Sequence, residues 1–132
     1  MKIVCESLYF DEIPVLQIFE PDICNAPVIF FIPGYGGTKE SGISLVYQLT
    51  LRGFFFVSFD PVYHGERFDP ILFNAALPEY GGIYPAGTGL DTTYLFFRII
   101  QHCEKDVRKI LDAINANPKV NSNNYGVIGL SM

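Results

Sequence analysis

Tyr125-Gly126-Val127-Ile128-Gly129-Leu130-Ser131-Met132 is the stretch whose reading decides the fold. A short apolar run enters Gly129-x-Ser131, so a strand is expected to end in a sharp turn with a serine at its tip. The demand for glycine is steric. The serine backbone is forced into an unfavourable conformation, and side chains two residues to either side would collide with the turn. Gly129 meets that demand on one side; position 133 lies beyond the 132-residue sequence.

The segments upstream read as the neighbours such a strand needs. Val28-Ile29-Phe30-Phe31-Ile32 is apolar at every position and stops at Pro33-Gly34, the pattern of a strand buried on both faces. After Gly34-Tyr35-Gly36-Gly37, Thr38 is expected to cap a helix reaching about Arg52, with Gly53 as its stop. A second strand, apolar but for Ser58, follows at residues 54–59 and closes on Asp60-Pro61. Strand, helix, strand predicts a βαβ unit with its two strands parallel. Two earlier strands are expected at residues 3–10 and 15–19, with Asp11-Glu12 and Glu20-Pro21-Asp22 as turns.

Residues 62–88, rich in glycine, proline and aromatics, read as a long irregular connection at the functional edge of the sheet. A helix is expected from about residue 91 to 115, with Phe96, Ile100, Cys103, Val107, Ile110 and Ile114 along one face. Gln101, Glu104, Lys105, Arg108 and Asp112 lie on the other. Asn117-Pro118 ends it, and residues 125–130 form the last strand. The fold class is α/β, one domain over residues 1–132 with a mainly parallel sheet.

Composition narrows the function. Hydrophobic residues make up 49% of the chain and charged residues 17%, so a packed core is expected rather than disorder. The net charge of −5, with no basic stripe, argues against a nucleic-acid partner. Cys5, Cys24 and Cys103 are widely spaced and odd in number, which suits buried thiols in a reducing compartment and no metal-ligand spacing. Neither a signal peptide nor a membrane-length apolar run is evident, so a cytoplasmic protein without membrane contact is expected.

An acyl-transfer site needs a nucleophile, a base, an orienting acid and donors for an oxyanion. Ser131 is the candidate nucleophile. The glycines of Pro33-Gly34-Tyr35-Gly36-Gly37 allow a tight backbone with amides free to face a ligand, so the N–H groups of Tyr35 and Met132 are the candidate oxyanion donors. Asp60-Pro61-Val62-Tyr63-His64-Gly65-Glu66-Arg67 follows the next strand, and Tyr63, His64 and Arg67 are candidate pocket residues. Asp60 and Arg67 read better as braces of that loop. Phe68, Phe73, Tyr80 and Tyr84 are further candidates for an acyl pocket, and His102 reads as a surface or half-buried helix residue.

In this order the motifs resemble the N-terminal half of the α/β-hydrolase superfamily, nearest to dienelactone-hydrolase-like and prolyl-oligopeptidase-type bacterial esterases. The resemblance covers nearly all of this chain but about half of such a fold. It implies a three-layer, mainly parallel sheet with helices on both faces, here truncated after the nucleophile strand. It implies hydrolysis of a small-molecule carboxylic ester through an acyl-enzyme, without metal or organic cofactor. In the superfamily's order the acid and the histidine base come after the serine, and here nothing follows it, so the 132 residues alone are expected to be inactive.

Other readings stay open. A prolyl-oligopeptidase-type peptidase fragment shares the same motifs. A non-catalytic remnant would expose the last strand as an apolar sheet edge, and self-association through that edge is expected. A nucleotide-binding βαβ module would use Gly34-x-Gly36 and Asp60, but the third glycine of that fingerprint falls at Lys39 and no phosphate-loop lysine motif is present.

Overall fold

The computed structural model describes residues 2–69 and 90–131, and the side chains of all of these except 90–94 and 122. Chain order is β1 (Val4–Phe10), β2 (Ile13–Phe19), β3 (Ala26–Ile32), α1 (Ile43–Thr50), β4 (Phe55–Phe59), a 3₁₀ turn (Gly65–Arg67), α2 (Leu90–Ile114) and β5 (Val120–Gly129). The strands form one sheet in the order β1-β2-β4-β3-β5.

The expected βαβ unit is present: β3 and β4 are parallel neighbours in register from Val28↔Phe55 to Phe31↔Ser58, joined through α1. β5 runs parallel to β3 on its other side, with Ile32 opposite Gly129. The described sheet is mixed, because β1 pairs antiparallel with β2 and β2 antiparallel with β4. The two-residue Asp11-Glu12 connection makes β1 and β2 a hairpin, and a hairpin is antiparallel by construction. That hairpin docks on β4 through its second strand, which is why every residue of β2 is buried.

The period-two alternation of the strands divides the core in two. Val15, Val28, Phe30, Phe55, Val57 and Phe59 meet Leu95, Ile99, Cys103, Ile110 and Ile114 of α2 in one cluster. Leu16, Ile18, Phe31 and Phe56 meet Val46 of α1 in the other. Each fully buried phenylalanine or leucine contributes roughly 1.5–3 kcal/mol through the removal of apolar surface from water. Phe19 and Phe55 stack with centroids 4.9 Å apart, bridging β2 and β4 across the hairpin dock.

Three local expectations are corrected. The helix after the glycine loop begins at Ile43, not Thr38, because Thr38 and Ser41 close their own turn. The Ser41 amide donates to the Thr38 carbonyl at 2.9 Å, and the Thr38 amide donates to Ser41 Oγ at 2.9 Å. In α2 the buried stripe is Leu95, Ile99, Cys103, Asp106, Ile110 and Ile114. Phe96 and Ile100 are turned off it, since a helix with apolar residues over a wide arc can present only part of it to a flat sheet. Of the thiols only Cys103 is buried; Cys5 and Cys24 are exposed, and all three are free. Among the described residues no helix is long and apolar enough to cross a membrane.

Candidate active site

β3, β4 and β5 deliver three loops to one end of the sheet, and the site is built where they meet. Residues 34–37 form a tight turn closed by the Gly37 amide, which donates to the Gly34 carbonyl at 2.9 Å. Gly36, third in that turn, has φ 79°, as a type II turn requires of its third residue. Tyr35 occupies the second position, and among the described residues no acceptor receives its amide hydrogen.

Ser131 stands two residues beyond Gly129, the end of β5, and has φ 47°, a left-handed conformation that a serine adopts only under constraint. The constraint is visible on both sides. The Leu130 amide donates to the Ile32 carbonyl at 3.2 Å, continuing the β3–β5 ladder to the last residue before the serine. Gly34 then packs so closely that a β-carbon there would lie 2.5 Å from the Leu130 carbonyl oxygen and 3.3 Å from that of Ser131. The glycine loop and the serine turn are thus in direct backbone contact, which only a glycine at position 34 permits. Met132 lies outside the described residues, as do Phe73, Tyr80 and Tyr84.

The loop after β4 divides its residues between two tasks. Tyr63, at φ 65°, lines with His64, Gly65 and Phe68 a cleft of about 290 Å3 whose other wall is Tyr35 and Gly36. The Tyr35 ring stands edge-on to His64 at 5.4 Å and lies 4.6 Å from Phe96 of α2. His64 is buried, and its Nδ1 is 2.9 Å from the Val62 carbonyl oxygen. A carbonyl only accepts, so Nδ1 carries a hydrogen and donates it to Val62. Arg67 does not line the cleft. Its guanidinium donates to Asp106 Oδ2 of α2 at 2.6 Å and to the Asp60 carbonyl at 3.1 Å, which makes it a brace.

Asp60, wholly buried, is the hub of these contacts. Its Oδ1 accepts the Lys39 amide at 2.7 Å, and its Oδ2 accepts the Glu66 amide at 3.0 Å. The Lys39 ammonium, also buried, lies 3.3 Å from Asp60 Oδ2, 2.6 Å from Glu66 Oε2 and 3.0 Å from Glu40 Oε1. The Tyr9 hydroxyl of β1 completes the chain by donating to Glu66 Oε1 at 2.5 Å. Burial by itself would lower the Lys39 pKa, but the bonds to Glu66 and Glu40 and the charge of Asp60 outweigh it and hold the ammonium above its usual range. The same Lys39 contact draws the Glu66 carboxyl below its ordinary value. This clamp was not legible at Lys39, a position that only showed a missing glycine in the sequence.

A second, larger groove of about 910 Å3 runs between α2 and β5, with Ile100, Val107, Tyr125, Val127 and Ser131 among its walls. Cys103 also lines it, but burial pushes that thiol up to about 11, so it holds its proton and is no nucleophile at neutral pH. His102 is half-buried on α2, and desolvation followed by the charge of Arg98 lowers its pKa. No group of residues able to hold a metal ion occurs among the described residues.

No protein-family model matches the sequence, and none of the curated proteins matches it. Solved structures share its fold. TT1662 from Thermus thermophilus superposes with a TM-score of 0.67 at 20% identity, over 98% of this chain and 47% of its own. Acetyl xylan esterase 1 from Thermoanaerobacterium sp. gives 0.60 at 15% identity, over 97% of this chain and 44% of its own. A dienelactone hydrolase-like promiscuous phosphotriesterase from metagenomic libraries gives 0.53 at 19% identity, over 98% and 48%. The chain spans about half the length of the structures it matches. With its strand-turn-serine element lying against a glycine turn, this chain has a partial α/β-hydrolase fold.

Proposed function

We propose that residues 1–132 carry the nucleophile side of a serine hydrolase that cleaves carboxylic esters through an acyl-enzyme. One observation carries this reading: Ser131 sits at φ 47° at the end of β5 while Gly34 packs on its backbone. Strain of that kind persists only where surrounding structure enforces it, and it collects at functional turns. In the reaction Ser131 Oγ attacks the ester carbonyl and loses its proton to a base. The carbonyl oxygen becomes an oxyanion facing the Tyr35 and Met132 amides, each worth roughly 3–4 kcal/mol in such a site. Collapse expels the alcohol and leaves the acyl group on Ser131; water then releases the acid and restores the hydroxyl. Tyr35, Tyr63, His64 and Phe68 suit the wall of an acyl pocket.

An ester is favoured over a peptide because structures of the same fold are named as esterases. The nucleotide-binding alternative loses ground at Asp60, whose carboxylate is wholly buried and turned to Lys39 and Glu66 rather than open to a sugar hydroxyl. Neither histidine fits the base by chain order: in the superfamily the histidine comes after the serine, whereas His64 and His102 both precede Ser131. A serine hydroxyl without an imidazole is a poor nucleophile at neutral pH, so these residues alone turn over poorly. The base and its acid partner belong to the remainder of a three-layer, mainly parallel sheet with helices on both faces. The test is hydrolysis of p-nitrophenyl acetate by the 132-residue chain and by a version extended through the downstream reading frame. Turnover by the extended form that vanishes in Ser131→Ala is expected; turnover that survives Ser131→Ala rules Ser131 out.

A further inference from the structure

We infer that Asp60 is a positioning residue, whose carboxylate holds the 34–37 turn in place against Ser131 by gripping the backbone of the segment that follows it. Calling the held turn part of an active site rests on the hydrolase reading; the grip itself does not.

Every polar atom of Asp60 is engaged. Its amide donates to the Pro14 carbonyl at the start of β2, and its carbonyl accepts from Arg67, itself paired with Asp106 on α2. Its two carboxylate oxygens take one amide from each of two loops, that of Lys39 and that of Glu66. The group is therefore anchored to the sheet and, through Arg67, to the long helix, and has no freedom of its own. Lys39 stands two residues beyond Gly37, whose amide closes the turn, so fixing the Lys39 backbone fixes the open end of that turn. The other end is Pro33-Gly34, continuous with β3.

A carboxylate is the chemistry this task needs. Charged acceptors form shorter and stronger bonds to amides than neutral ones, and one carboxylate can serve two donors at once. The buried charge needs compensation, and the Lys39 ammonium supplies it. The division of labour is definite: the carboxylate–amide bonds position, and the ammonium neutralises.

The test is amide hydrogen exchange on the isotope-labelled 132-residue chain and on Asp60→Asn and Lys39→Met. In the unaltered chain the Lys39 and Glu66 amides are protected although neither lies in a strand or an α-helix; a freely exchanging Lys39 amide overturns the proposal whether or not any variant folds. In Asp60→Asn one amide faces an NH2 group instead of an oxygen, so exchange at Lys39 and Gly37 rises about tenfold or more while that of β3 changes less than about threefold. A uniform rise in both places means that Asp60 only stabilises the fold, and overturns the positioning role. Lys39→Met keeps the amide and loses the ammonium, so Gly37 stays within about threefold; a rise matching that of Asp60→Asn shows that the ion pair, not the amide grip, holds the turn. None of these readings involves turnover, so a loop that behaves as stated in a chain without Ser131-dependent hydrolysis separates the positioning role from the hydrolase reading.

Discussion

The α-carbon of Gly65 lies beneath the carboxyl group of Asp60, so that a β-carbon there would sit 2.3 Å from Asp60 Cγ and 2.4 Å from each oxygen. Gly65 also has φ 53°, a conformation that side chains resist. The relationship explains why an aspartate ending one strand and a glycine five residues on occur together: the carboxylate can reach the Lys39 and Glu66 amides only across an unsubstituted carbon.

Gly65→Ala is therefore expected to destabilise the chain by about 3 kcal/mol or more, from steric overlap and strain together. Gly53→Ala is the control. Gly53 has φ 85° but open space where the methyl would stand, with nothing within 4 Å, so it incurs only the left-handed penalty of about 1–2 kcal/mol. Urea denaturation compares the two, and equal losses would mean that the carboxyl does not sit over Gly65.

Gly34→Ala drives a methyl into the Leu130 carbonyl, a backbone atom that cannot step aside alone. The serine turn and the glycine turn must then part by a fraction of an ångström to an ångström. In a hydrolysis-competent form this is expected to lower kcat about 100-fold with a smaller change in KM, because a displacement of that size spoils the approach of the reacting atoms. Steady-state kinetics on p-nitrophenyl acetate checks it.

Acid should loosen the clamp. The Lys39 bond holds the folded-state pKa of Glu66 below the usual 4.5, so its contribution is present above that value and is lost as pH falls through the lower folded-state one. Glu40 and Glu12 are lowered as well and act in the same window. Lys39 is raised above 10.5, so its contribution is complete below that value and disappears only at still higher pH. Thermal unfolding should show a Tm that is flat through neutral pH and falls below about pH 4.5, with a shallower fall in Glu66→Gln.

The side of β5 that pairs with no described strand should associate. Val120–Gly129 contains no charged residue, and its Tyr125 and Val127 side chains are 51% and 52% exposed. Charges are the usual protection of a sheet edge, and this edge lacks them. Sedimentation velocity of the 132-residue chain is expected to show concentration-dependent association that Val127→Lys reduces. A monomer at every concentration would refute it.

Much of the arrangement was legible in the residues themselves. Strands 28–32 and 54–59 are apolar at every position but Ser58 because both their faces are covered, and such strands sit inside a sheet. The strained serine turn was legible as well, since Gly129 two residues before Ser131 marks a steric demand that few other structures make. Asp60 and Arg67 could be read as braces, but not what they brace against. The start of α1 and the buried stripe of α2 were not legible, because Thr38 has a nearer partner in Ser41, and because period alone does not say which part of a wide apolar arc meets the sheet.

The sequence by itself determined the local elements: which segments are strands, where the backbone must kink, and that a serine stands at one kink. These depend on residues a few positions apart, so sterics and hydrophobic period report them directly. Only the tertiary structure decided that the β1–β2 hairpin docks antiparallel on β4, that Gly34 meets Leu130, and that a buried Lys39 and Asp60 tie two loops together. Each of those joins groups more than twenty positions apart in the chain, and their energies exist only once burial has excluded water and brought the partners within bonding distance.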